Sequence, residues 1–328
     1  MRGETNQIKF EKGVFTLSLD FELIWGTADL GLEDFKRICR IEREVVIDRL
    51  LELFEEFEFP ATWAILGHLF LDKCESKNGT KHPEIVRPNF SWTTQDWFAH
   101  DPGGVETDKS IHLGRRLVEK IRNCRVAQEI GSHSFSHIVF GDQGCSPETA
   151  ESEIAECVRV AREQGLELKS FVFPRNEVGH LEVLKKYQFT SFRGVEENWY
   201  ENRIVPERIR RGLRLFDVLR AAQPPAVLPQ MTKEGLLNIP GSAMFFPMHG
   251  FRRRIPMSLR VRRCLKGLNK AAQTKKIFHL WFHPSNMVDE METMFAGLRE
   301  ILQHAAKLKK EGRLDFLTMG EISDLAAR

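Results

Sequence analysis

Apolar runs of strand length alternate with stretches of helical periodicity along almost the whole chain, and that alternation limits the possible folds more than any other feature. Residues 14–20 read as a buried strand. Residues 38–57 read as a helix, with Ile41, Val45, Val46, Leu50, Leu53, Phe54 and Phe57 at helical spacing. Further strands are expected at 61–67, 126–132, 170–174, 189–193, 277–283 and 314–318. Helices are expected at 112–123, 147–164, 178–187 and about 287–310, with Ser146 capping the second and Pro147 in its first turn. Repeated strand–helix units with functional residues at the strand C-terminal ends predict an α/β fold of the (β/α) barrel type.

Two stretches break the alternation. Residues 71–109 are loop-like and carry Trp92 and Trp97, and residues 196–257 are rich in proline and arginine. Both are expected as insertions in a single catalytic domain spanning 1–328, since long loops usually serve a function. The 42% hydrophobic and 29% charged content is that of a soluble globular protein. No signal-like apolar core follows Met1, and no apolar run is long enough to span a bilayer, so the expected compartment is the cytoplasm. The six cysteines show no C-x-x-C and no disulfide-like spacing, and read as reduced thiols. The net charge of +2 conceals a basic segment, 203–276, with 17 Lys/Arg against 3 Asp/Glu. Such a segment suits an anionic partner: a phosphate-bearing substrate, a nucleotide diphosphate or an anionic lipid surface. Its equal rival is a solvated helix surface. Residues 256–272 form a basic amphipathic helix, expected as the outer helix before a barrel strand, with peripheral membrane contact as the second reading. Nucleic acid is not an expected partner.

The strand ends carry the chemistry. The first strand closes on Asp20-Phe-Glu22, two carboxylates at strand spacing and on one face. The strand at 126–132 leads into His133-x-x-x-His137, one helical turn apart, so that both imidazoles can face one divalent metal. Two histidines and a carboxylate leave coordination positions open, as catalytic rather than structural sites do. The remaining carboxylate is free to act as a base.

Asp20-x-Glu22, His133-x-x-x-His137 after Glu-Ile-Gly-Ser, Phe173-Pro-Arg-Asn176 and the strand ending at His283 together resemble, in order, the motifs of the polysaccharide deacetylase family. This is the carbohydrate esterase group with the homology domain of the rhizobial chitooligosaccharide deacetylase. The resemblance implies a distorted (β/α) barrel that removes an N-acetyl or similar N-acyl group from a sugar. It also implies one divalent ion, zinc by default, on Glu22, His133 and His137. Asp20 would be the general base, Arg175 the cation holding it, and His283 the acid that protonates the leaving amine. Family members more often have adjacent aspartates where this chain has D-x-E, which leaves the roles of Asp20 and Glu22 open to exchange. Trp199 is a loose match to a tryptophan that positions the acid and base. A cytoplasmic location favours an intracellular intermediate of surface-glycan biosynthesis over bulk wall polysaccharide.

Blander readings compete residue by residue. His68, His82, His100, His112, His180, His249 and His304 are expected as core or surface residues, and His279 as a core or supporting histidine. Trp92, Trp97 and Trp199 suit loop packing and a sugar-stacking wall equally. The rival functions are an amide hydrolase of the same fold acting on a non-sugar substrate, a glycoside hydrolase using Asp20 and Glu22, and a non-catalytic glycan-binding relative.

Overall fold

The computed structural model describes residues 8–27, 33–197, 200 and 205–327. Its strands are β1 (Gly13–Phe21), β2 (Thr62–Ile65), β3 (Lys73–Cys74), β4 (Gly104–Val105), β5 (Glu129–Ser132), β6 (Ser170–Val172), β7 (Ser191–Gly194), β8 (Gln230–Met231), β9 (Leu237–Pro240), β10 (Ala243–Met244), β11 (Ile277–Phe282) and β12 (Leu314–Phe316). Between them run α1 (Glu33–Ile41), α2 (Ile47–Glu56), α3 (Arg115–Arg122), α4 (Pro147–Glu163), α5 (Leu181–Lys186), α6 (Glu207–Leu219), α7 (Met257–Thr274), α8 (Met291–Lys310) and α9 (Met319–Ala326). A π-helical turn, Glu42–Val46, joins α1 to α2. Ser146 caps α4 as the sequence predicts, accepting from the Thr149 amide.

β11, β1, β2, β5, β6, β7 and β9 pair in parallel in that order. The ring closes through a single run of chain: β9 pairs with β7, and β10, which follows it directly, pairs with β11. Gly241 and Ser242 make the switch, their amides donating to Gly194 O and His279 O. The protein is therefore a distorted barrel whose last stave changes partners half-way. β11 occupies one edge of β1, while β2 and β12 share the other at opposite ends.

Alternation along β1 sorts its side chains into two cores. Phe15, Leu17, Leu19 and Phe21 pack outward with Val46, Leu50 and Phe54, and with residues of α7 and α8. Val14 belongs to a second cluster with Ala64, Val172, Ile239 and Ile277, closed by Met319 and Ile322 of α9. Helix α9 thus plugs the barrel floor. Each fully buried side chain of this size contributes roughly 1.5–3 kcal/mol. Above the plug the lumen turns polar, with Ser18, Arg193 and His279 fully enclosed and Asp20 beyond them.

The described residues of the 196–257 stretch supply α6 and the β8–β10 run that closes the barrel, and the short strands interrupted by Pro240 and Gly241 hide the period-two signal. Residues 71–109 form a loop excursion tied at its base by the antiparallel β3–β4 pair. Helix α9 was not foreseen. Helix α7 is the outer helix before β11, and its Arg260 is buried, donating to the carbonyls of Phe246, Pro247, Arg252 and Ile255. Among the described residues no helix is long and apolar enough to cross a membrane.

Candidate metal and catalytic site

Glu22 leaves the end of β1 just before a 3-10 turn, Leu23–Thr27. Its Oε2 lies 3.0 Å from His133 Nε2 and 2.9 Å from His137 Nε2, and all three residues are buried. The turn needs Gly26, where a Cβ would stand 1.8 Å from Glu22 Oε1. The histidines follow β5 on an irregular loop and not on a helix: Ser134 and His137 adopt φ of 64° and 67°. Glu153 of α4 fixes that loop, its Oε2 accepting from the Phe135 and Ser136 amides at 2.9 and 2.8 Å. Trp97 Nε1 donates to Ser136 O at 2.7 Å, so this tryptophan packs the loop, whereas Trp92 is exposed.

Electrostatics here favour a cation. Burial opposes ionisation of Glu22, but His137, His283 and His133 overcome it and hold the carboxyl well below its usual range. His137 is kept neutral by burial. His133 is raised in spite of burial, by Glu22 and Asp20. Its Nδ1 is 2.8 Å from Val172 O, a partner that only accepts, so the Nδ1 proton is fixed and Nε2 is left as the donor atom. Two imidazole nitrogens and one ionised carboxylate thus converge on one point, a donor set that fits a divalent first-row ion.

Asp20 sits beside this triad in a separate grip. Arg193 donates to Oδ1 at 2.6 Å and to Oδ2 at 2.7 Å, a bidentate pair inside the barrel. The guanidinium also donates to Ser18 Oγ and Asn176 Oδ1, both at 3.0 Å, and stacks 4.3 Å from the Trp281 ring centroid. Burial pushes the Asp20 pKa up, yet Arg193 outweighs it and the net shift is downward. The sequence reading gave this clamp to Arg175. Arg175 follows β6 in a strained turn (φ 55°) and lies over Trp92, 5.3 Å from its ring centroid. Arg193 wins because it projects from a barrel strand, so its side chain reaches Asp20 through the lumen.

His283, just past β11, completes the group. Its Nε2 is 3.8 Å from Asp20 Oδ2 and 3.5 Å from Glu22 Oε1, and its side chain is 25% exposed. His279 lies deeper, its Nε2 2.9 Å from Ser18 Oγ, with a pKa pushed down to about 3 by burial and Arg193. It supports the Ser18–Arg193 network as a neutral ring. A cleft of about 1170 Å³ opens beside the site, bordered by Asn176, Gly194 and Trp281 and continuing past Arg210, Arg214 and Arg252. Trp199 lies outside the described residues.

No family model matches the sequence, and no curated protein matches it. Solved structures do. A protein assigned as a polysaccharide deacetylase from Mycobacterium smegmatis aligns over 98% of this chain and 93% of its own, at 14% identity and a TM-score of 0.61. The fold is that of the polysaccharide deacetylases. A second protein so assigned, from Pseudomonas aeruginosa PAO1, covers 95% of this chain and 89% of its own at 12% identity, with a TM-score of 0.57. The PuuE allantoinase also reaches 0.57, at 12% identity over 95% of this chain and 88% of its own.

Sequence reasoning missed Arg193 and Glu153. A visible signal existed for the first: a lone arginine in a strand whose neighbours are otherwise uncharged. Glu153 carried none, because a carboxylate on an amphipathic helix normally faces water.

Proposed function

We propose that this protein is a divalent-metal-dependent amidohydrolase that removes an N-acetyl or similar N-acyl group from a sugar. The supporting observation is the convergence, at one barrel mouth, of the Glu22–His133–His137 donor set with a separately clamped Asp20 and with His283. When bound, the ion supplies Lewis acidity, acidifying water and polarising the acyl carbonyl. Asp20, kept ionised by Arg193, takes the proton of the attacking water as general base. His283 gives a proton to the departing amine as the C–N bond breaks and the new C–O bond is complete. Zinc is the default ion for this donor set.

The finer reading is an N-acylated, phosphate-bearing sugar used in the cytoplasm to build a surface glycan. The cleft, where Arg175, Arg210, Arg214 and Arg252 outnumber Glu177 and Glu196, and the basic 203–276 segment favour an anionic carrier group on the substrate. The expected compartment favours a biosynthetic intermediate. An amide hydrolase with a non-sugar substrate is the second reading, favoured by the allantoinase among the structural neighbours.

Metal content and acetate release test the proposal together. Protein purified without chelator should carry an ion at this site that His133→Ala/His137→Ala lacks, and should release acetate from N-acetyl sugars or their nucleotide conjugates. Asp20→Asn should keep the ion and lose turnover, and Glu22→Gln should lose the ion. Loss of the ion in Asp20→Asn but not Glu22→Gln reverses the two roles. Turnover that survives removal of the ion defeats the metal mechanism.

A further inference from the structure

Four residues that the sequence presents as unrelated meet in a second buried cluster: His68, Cys74, His82 and Asp101. His68 follows β2, in the turn Gly67–Phe70, and Cys74 is in β3. His82 and Asp101 come from the 71–109 excursion. His68 Nε2 is 3.0 Å from His82 Nε2 and 3.4 Å from Asp101 Oδ2. Cys74 Sγ is 3.2 Å from His82 Nε2 and 2.9 Å from Asp101 Oδ2. The edges of a tetrahedron around a zinc ion with N, O and S ligands are roughly 3.3–3.7 Å, so these donors need move outward by only a few tenths of an ångström.

The hydrogen bonds behind the rings decide which atoms face inward. His68 Nδ1 lies 2.9 Å from His112 O, and His82 Nδ1 lies 3.0 Å from Glu84 Oε1. A carbonyl and a carboxylate only accept, so both Nδ1 atoms carry protons. Each ring therefore turns its Nε2 toward the other across 3.0 Å, an arrangement that either a proton on one ring or a shared metal ion satisfies, and the Cys74 and Asp101 donors beside it suit the ion. Asp101 is oriented in the same way, its Oδ1 accepting from the Gly103 amide at 2.9 Å. Trp25, Phe98 and Phe135 wall the cluster.

We propose that His68, Cys74, His82 and Asp101 bind a structural divalent ion, zinc in the first instance, distinct from the ion of the catalytic triad. Binding replaces the Cys74 thiol proton, which leaves to solvent. A dication with one thiolate and one carboxylate is then neutral overall, as a buried site requires. With all four positions filled by protein, the site is closed, the form of a structural rather than a catalytic ion. Its purpose is to tie the excursion to the barrel beneath the active site. The His68 amide donates to Phe135 O, the Gly67 amide to Ser134 O, and Trp25 of the turn after Glu22 packs on the His68 ring at 4.5 Å. Both loops that carry the catalytic donors therefore rest on this cluster.

Sulfur distinguishes the two sites, because the catalytic triad has none. Cobalt(II)-substituted wild-type protein should show a thiolate-to-cobalt charge-transfer band, and so should cobalt-loaded His133→Ala/His137→Ala. Cys74→Ser should lose the band while keeping the catalytic ion. Metal analysis without chelator should find one ion more in the wild type than in the His133→Ala/His137→Ala variant, and an ion still present in that variant. Glu84→Ala, which removes only the acceptor behind the His82 ring, should weaken retention against a chelator about 10–100-fold. Absence of the cobalt–sulfur band in wild-type protein, with no ion left in the double variant, overturns the proposal and leaves the hydrolase reading untouched.

Discussion

Replacing Arg193 by glutamine would remove the guanidinium that outweighs burial at the Asp20 carboxylate, leaving only the weaker influence of His283 and His133. Arg193 and Asp20 are 1% and 3% exposed and joined by bonds of 2.6 and 2.7 Å. In the wild type the Asp20 pKa lies below its ordinary value of 3.8, although burial alone would raise it. A depressed carboxyl contributes stability above its unfolded pKa, and that contribution is lost as pH falls through the folded value. Without the guanidinium, burial dominates and the sign reverses: Asp20 is tolerated when protonated and destabilises the fold as pH rises. Removing one partner of a buried ion pair costs about 3–5 kcal/mol. At about 2.1 cal/mol/K per residue the unfolding entropy of a chain this long is about 0.7 kcal/mol/K, so Tm should fall by about 4–7 °C. Melts of Arg193→Gln and wild type should show that full gap at pH 8 and a narrower one at pH 5. The acid limb of kcat/KM should move up by roughly 1–3 pH units, the range over which an adjacent cation depresses a carboxylate. Arg175→Gln should leave that limb in place. An equal Tm gap at both pH values, or an acid limb that moves with Arg175 and not with Arg193, would refute the assignment of the clamp.

Gly26→Ala should disturb the proposed metal site without replacing one of its candidate ligands, since its Cβ would stand 1.8 Å from a Glu22 oxygen and displace it. Metal retention against a chelator should weaken about 10–100-fold, as for the loss of other orienting contacts; unchanged retention would show that Glu22 has room to spare. Glu153 is fully buried and its pKa is raised from 4.5 to about 7, chiefly by burial. A raised carboxyl contributes stability below the unfolded value that is lost as pH rises through about 7, up to about 3 kcal/mol at 1.36 kcal/mol per pH unit. Glu153→Gln keeps an acceptor for the Phe135 and Ser136 amides and carries no charge. It should therefore flatten the dependence of stability on pH between 5 and 8. Chemical denaturation with a wild-type slope in the variant would sink that account.

What the sequence determined by itself lies where local signals and chain order suffice. Period-two and helical patterns placed β1, β5, α4, α8 and β11 within a few residues, because each buries one face and is long enough to show it. Asp20, Glu22, His133, His137 and His283 were legible because each closes or follows such a strand, and a parallel barrel gathers those ends at one mouth. Tertiary structure decided the rest. The closing stave, β9 with β10, is too short and too broken by Pro240 and Gly241 to show a period, and only its two neighbours define it as a strand. The choice of Arg193 over Arg175 depends on which side chain crosses the lumen, a distance that chain order does not encode. His68, Cys74, His82 and Asp101 have no motif spacing, and it takes the folding back of the 71–109 excursion to make them neighbours. Contacts made through space between segments that are individually unremarkable leave no periodicity for a sequence to display.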